Sequence, residues 1–110
     1  MKIEKKETYS YILSDEKSFK TFFSNFKEAV EKLQKEHIIL HFLDDININK
    51  EDFSLFLDIS AHKKEYGTSF VIIYKNINVD DIPETINIVP TLTEAIDVLE
   101  MEAMERELGF

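Results

Sequence analysis

The chain of 110 residues has no cysteine, only two glycines and two prolines, and a single arginine. Without cysteine, disulfides and thiolate metal sites are both excluded, which fits a reducing compartment. With Gly67 and Gly109 as its only glycines, the sequence has no glycine-rich loop to cradle a phosphate. Arg106 stands among glutamates, far from the clustered Lys and Arg that neutralise nucleic-acid phosphates. No window approaches the roughly 20 consecutive apolar residues that a membrane-spanning helix needs. The charged opening, Met1-Lys2-Ile3-Glu4-Lys5-Lys6-Glu7, lacks the apolar stretch of a signal peptide. The sequence therefore predicts a soluble, cytoplasmic protein that engages neither nucleic acid nor membrane.

What the chain does have is acid. The formal net charge is −9, unevenly spread. Residues 1–36 hold eight Lys against seven acidic groups, a balance of +1; residues 37–110 hold five basic against fifteen acidic groups, a balance of −10. The length suits one domain spanning 1–110, large enough to bury roughly two-thirds of its unfolded surface without covalent staples.

Periodicity supplies the elements. Lys2–Lys5 and Thr8–Leu13 read as strands joined by two polar residues, hence an antiparallel hairpin at a sheet edge. Ser14 reads as the cap of a helix with Asp15 and Glu16 in its first turn. Phe19, Phe22, Phe23, Phe26, Val30 and Leu33 then recur at steps of three and four, one apolar stripe that reads as core. His37–Leu43 is a continuous apolar run, as expected of a parallel strand covered on both faces. Asn49 caps the next helix, with Asp52 placed to return the interaction. That helix should turn Phe53, Phe56, Leu57 and Ser60 inward and end at Gly67. Phe70–Tyr74 is a second buried strand, Asp80–Glu84 a single helical turn and Ile86–Val89 a last strand. Thr91 with Glu94 forms a capping box for a final helix that places Leu92, Ala95, Ile96, Leu99 and Ala103 inward. The order ββαβαβαβα predicts an α/β fold with a mixed, mostly parallel sheet packed against helices.

From His37 to Leu99 the segments HIILHFLDD, EDFSLFLDISAHKKEYG, SFVIIY and INIVPTLTEAIDVLE resemble the STAS domain, the fold of anti-sigma-factor antagonists and of sulfate-transporter tails. The closing Val89-Pro90-Thr91-Leu92-Thr93-Glu94-Ala95-Ile96 carries the likeness best, and residues 1–36 match in element order. The resemblance implies a regulatory, protein-interaction domain. Switching members of that family carry Asp-Ser-Ser-Gly-Leu at the helix after the buried strand, where a kinase phosphorylates a hydroxyl. Here the corresponding run is Asn49-Lys50-Glu51-Asp52-Phe53, with neither candidate position able to accept phosphate. Ser54 lies beyond that position and Ser60 is expected to face the core. Glu51 and Asp52 read either as dipole-compensating residues of a well-capped helix or as fixed charge imitating a phosphorylated state.

Other chemistry is thinly supplied. Asp44 and Asp45 at a strand end, with Lys75 after the next strand, invite comparison with response-regulator receivers. No further Asp ends a separate buried strand, so a solvated capping turn is the simpler reading. His37 and His41 share a strand face, but with only His62 remaining and no Cys they predict satisfied imidazoles rather than a zinc site. The His-x-His-x-Asp-His cluster of the tRNA 3′-processing nuclease ribonuclease Z does not occur, leaving a role accessory to tRNA processing as the weakest reading. The sequence thus predicts a non-enzyme without cofactor or metal. Its predicted partner surface comprises Asp44, Asp45, Asn49, Lys50, Glu51 and Asp52 with the exposed side of the following helix. A small-molecule or nucleotide-sensing STAS-like domain is the alternative. Met101, Met104, Leu108 and Phe110 add an apolar edge, rimmed by carboxylates, that suits a basic partner or a homodimer through the C-terminal helix.

Overall fold

The structure, a computed structural model, describes residues 1–43, 46–76, 78, 80 and 82–109. Its elements are β1 (Lys2–Lys5), β2 (Ser10–Ser14), α1 (Phe19–Glu31), β3 (Ile38–Phe42), α2 (Lys50–Ser54), α3 (Leu57–Glu65), β4 (Phe70–Ile73), β5 (Asn87–Val89) and α4 (Leu92–Glu107). The strands form one sheet in the order β1-β2-β3-β4-β5, antiparallel between β1 and β2 and parallel elsewhere. The expected α/β class, edge hairpin and mostly parallel sheet are all present.

Each parallel connection steps to the next strand in the same direction. Right-handed crossovers repeated in that way leave their helices on one face of the sheet. Burial follows the same division. Ile12, Ile38, Leu40, Phe42, Phe70 and Ile72 pack toward α1, α2 and α3, whereas Ile39, Val71 and Ile73 on the opposite pleat meet Ala95 and Leu99 of α4. Because β3 and β4 are covered on both sides, they read as unbroken apolar runs.

The larger core is aromatic. The Phe56 ring lies between 5.3 and 6.2 Å from the rings of Phe19, Phe23, Phe26, Phe42 and Phe70. Edge-to-face pairs of this kind add about 0.5–1.5 kcal/mol each beyond the burial of their area. Phe19, Phe22 and Phe26 are buried as the stripe predicts. Phe23 is partly buried, with the Lys27 ammonium 5.8 Å from its ring centre.

Three expectations need correction. First, α1 begins at Phe19 and its cap is Ser18, whose Oγ accepts from Thr21 N–H, rather than Ser14. Ser14 belongs to β2, paired with Phe42. Asp15 and Glu16 lie between β2 and α1, where both carboxylates meet the Met1 ammonium, the latter at 3.0 Å. Second, the single helix expected after Asn49 is two, broken at Leu55 and Phe56. Both Phe53 and Phe56 reach the core, and beyond the break Ile59 and Lys63 turn inward while Leu57 is exposed. Ser60 is half-buried, its hydroxyl donating to Thr85 O at 3.2 Å. Third, Leu92 and Ala103 of α4 are exposed, while Ala95 and Leu99 are buried and Ile96 packs beside them; of the capping box expected there, the structure shows one half, Thr91 Oγ1 accepting from Glu94 N–H at 3.2 Å. The turn expected at Asp80–Glu84 includes Asp81, which lies outside the described residues. No described helix is long and apolar enough to cross a membrane.

Candidate functional site

The predicted surface lies where β3 gives way to α2, at the carboxyl end of a central parallel strand. Ligands and partners commonly meet open α/β sheets at that edge. Asp44 and Asp45 lie outside the described residues. The chain that follows them is anchored from beneath, since Ile46 and Ile48 are buried in the aromatic core. Tyr74, just past β4, donates its hydroxyl to Ile46 O at 3.3 Å.

Asn49 then starts α2 in extended conformation, and its Oδ1 accepts from Asp52 N–H at 2.8 Å. Asp52 Oδ2 accepts from Asn49 N–H at 3.1 Å, closing the reciprocal box that the sequence predicts. Phe53 locks the turn to the core through Tyr74, with ring centres 5.7 Å apart. Two of the six predicted residues are therefore occupied in holding the helix start. Lys50 and Glu51 are exposed beside them. Ser54 does not project a free hydroxyl along the helix, because its Oγ donates to Glu51 O at 2.7 Å.

The sequence reading missed an apolar component at this edge. Leu55 and Leu57 are exposed on either side of the break between α2 and α3, immediately after the charged turn. Only the break brings Leu57 out, and no Gly or Pro between Lys50 and Tyr66 announces it.

His37, just before β3, and His41 within it are held by hydrogen bonds to residues at neighbouring strands. His37 Nδ1 accepts from Ser69 N–H at 2.9 Å, and burial, followed by the positive charges of Arg106 and Lys63, pushes its pKa down. His41 Nδ1 lies 2.5 Å from Tyr11 Oη, with the rings edge-on at 5.9 Å. Burial pushes the Tyr11 hydroxyl up. Among the described residues no group of three or more His, Asp or Glu could hold a metal ion.

Between α1 and α3 runs a groove of about 320 Å³, with Val30, Ile59 and Tyr66 among its apolar walls and Lys27, Asp58 and His62 among its polar ones. Beneath it Lys63 is only 3% exposed, and its ammonium donates to Leu33 O, Gln34 O and Glu36 O at 2.5, 3.3 and 2.6 Å. Burial lowers its pKa to about 8, opposed by the Glu36 carboxylate. No protein-family model matches the sequence, and no curated protein is significantly similar to it.

Proposed function

We propose that this chain is a STAS-like regulatory module, one domain over residues 1–110, that binds a protein partner without catalysis, cofactor or phosphoryl transfer. The observation that carries this reading is the start of α2. Asn49 and Asp52 cap each other, Lys50 and Glu51 offer no hydroxyl, and the Ser54 hydroxyl is committed to a backbone carbonyl. Such a turn presents fixed charge rather than a switchable group. Support also comes from the sequential parallel sheet with its antiparallel edge hairpin and from the likeness between His37 and Leu99. The partner surface is Asp44, Asp45, Asn49, Lys50, Glu51 and Asp52 with the exposed Leu55 and Leu57 beyond them. Leu55 and Leu57 supply apolar area beside that charge for a partner to cover.

The test is a charge swap, Lys50→Glu with Glu51→Lys, which leaves the cap residues untouched. Partner capture from native cells should fall at least ten-fold against wild type, with a photo-crosslinker at position 55 labelling the same partner. Capture unchanged by the swap would refute this surface. The groove between α1 and α3 favours a second reading, a small-molecule or nucleotide sensor. A nucleotide that raises the thermal midpoint of wild type, but not of Ile59→Asp, would select that reading. Metal-dependent cleavage of precursor tRNA by the pure protein would overturn both.

A further inference from the structure

Helix α4 carries two faces. Ala95 and Leu99 are buried on the sheet, and further along the same side Glu102 accepts from Asn87 Nδ2 at 3.0 Å while Arg106 donates to Ser69 Oγ at 3.3 Å. On the opposite side, at one and two turns' spacing, lie Met101, Met104 and Leu108, which are 54%, 62% and 70% exposed. They are the most exposed large apolar side chains described and form a continuous stripe. Asp97, Glu100, Glu105 and Glu107 flank it, all exposed. The one basic side chain on the helix, Arg106, is directed at the sheet and offers the rim no counter-charge.

A surface helix ordinarily places cations, not carboxylates, near its C-terminal end, where the dipole is negative. Here Glu105 and Glu107 add like charge to that end, and Asp97 with Glu100 and Glu102 with Glu105 stand three residues apart, a repulsive spacing. A cation placed against the outer face relieves the repulsion among Asp97, Glu100, Glu105 and Glu107, while Glu102 is held on the sheet side by Asn87. Flexible methionines meanwhile provide an apolar strip able to adapt to more than one side-chain shape. A second copy of the chain is the wrong occupant. Two-fold pairing of this face would set the same carboxylates against each other with no Lys or Arg between them.

We propose that the outer face of α4 docks a basic amphipathic helix of a partner protein. Its apolar residues pack along Met101, Met104 and Leu108, and its flanking Lys or Arg pair with Asp97, Glu100, Glu105 and Glu107. This surface is separate from the start of α2 and does not depend on it.

The chain has three methionines, and Met1 packs against the aromatic core on the opposite side of the sheet. Carbon-13 labelling of the methionine methyls therefore gives two reporters on the stripe and one internal control. The probe is a synthetic leucine–lysine peptide of about 15 residues with helical amphipathic spacing, long enough to form a helix on contact. Saturable shifts of the Met101 and Met104 methyls with Met1 unmoved are expected. Binding, read also by fluorescence anisotropy of the labelled peptide, should be at least ten-fold weaker for a scrambled peptide of equal composition, and for the exposed-site variant Met101→Ser/Met104→Ser/Leu108→Ser with unchanged circular dichroism. Equal binding of the scrambled peptide, or no loss in the triple variant, would overturn the proposal by reducing it to diffuse charge attraction. Concentration-dependent shifts of Met101 and Met104 without peptide, matched by a dimer in sedimentation, would instead assign the face to a second copy.

Discussion

The ammonium of Lys63 sits 2.6 Å from the backbone carbonyl of Glu36, one of three contacts that tie α3 to the turn after α1. The last carbonyls of a helix have no partner within it. Beyond the C-cap of α1 the chain turns through Leu33 and Gln34, and Lys63 takes their carbonyls as well, so one buried cation gathers the turn between α1 and β3. The Glu36 carboxylate continues outward to Lys5 of β1 at 2.9 Å. Replacing Lys63 by Met keeps the stem and removes the three donors. Urea unfolding near neutral pH should show a loss of about 1.5–3 kcal/mol, the worth of hydrogen bonds to a charged group. The pH dependence has a definite sign. Folded Lys63 titrates at about 8 against 10.5 for the free side chain, so between those values the unfolded chain holds the proton and the folded chain does not. The stability of wild type relative to Lys63→Met should therefore rise through that window, by at most about 1.4 kcal/mol per pH unit.

His37 gives the complementary acid-side effect. Its Nδ1 accepts from Ser69 N–H, which requires the imidazole to be neutral, and burial together with Arg106 and Lys63 depresses its pKa. A base whose folded pKa lies below its unfolded value takes up its proton first in the unfolded chain. Stability is then fully present above about pH 6.5 and is lost as the pH falls below it. His37→Leu should lower stability at pH 7 because Ser69 N–H loses its acceptor. The wild-type advantage over that variant should shrink between about pH 7 and 5. An advantage that stays constant across this range would refute the neutral-acceptor assignment.

These two side chains mark the boundary of what local pattern reveals. The strands β3 and β4 were legible because burial on both faces makes Ile38–Phe42 and Phe70–Ile73 continuous apolar runs. The Asn49–Asp52 box was legible because a cap acts within four residues. The start of α1 was not. Ser14 and Ser18 are both competent caps, and a distant partner takes Ser14: Phe42 of β3, which extends β2 through it. The break at Leu55 has no Gly or Pro to announce it, and it shows only in the inward line, which passes from Phe53 and Phe56 to Ile59 and Lys63 instead of Leu57 and Ser60. A lysine in a polar helix reads as surface until the carbonyls of a distant turn are seen beside it.

Two buried hydroxyls offer a gain rather than a loss. Ser10 and Ser14 of β2 are each almost fully buried, and neither Oγ has a hydrogen-bond partner among the described residues. Both lie on the same pleat as Ile12, toward α1. An unpartnered hydroxyl in an apolar setting costs on the order of 1–3 kcal/mol. Ser10→Ala and Ser14→Ala should therefore be neutral or stabilising by up to about 1 kcal/mol, seen as a raised urea midpoint with unchanged slope. A clear loss at either position would mean that the hydroxyl has a partner in solution.

The start of α2 allows its structural and recognition roles to be separated. Asn49 supports the helix directly, its Oδ1 accepting from Asp52 N–H at 2.8 Å. Asn49→Ala should cost about 1 kcal/mol, and Asn49→Asp, which retains an acceptor, should recover most of it. Glu51 makes no bond in that cap and acts on the helix only through the dipole, so Glu51→Gln should cost at most about 0.3–1 kcal/mol. If this turn is a partner surface, the order reverses in binding. Glu51→Gln should weaken capture several-fold while hardly moving the unfolding midpoint. Capture that tracks stability across the three variants would leave the turn a helix cap and nothing more.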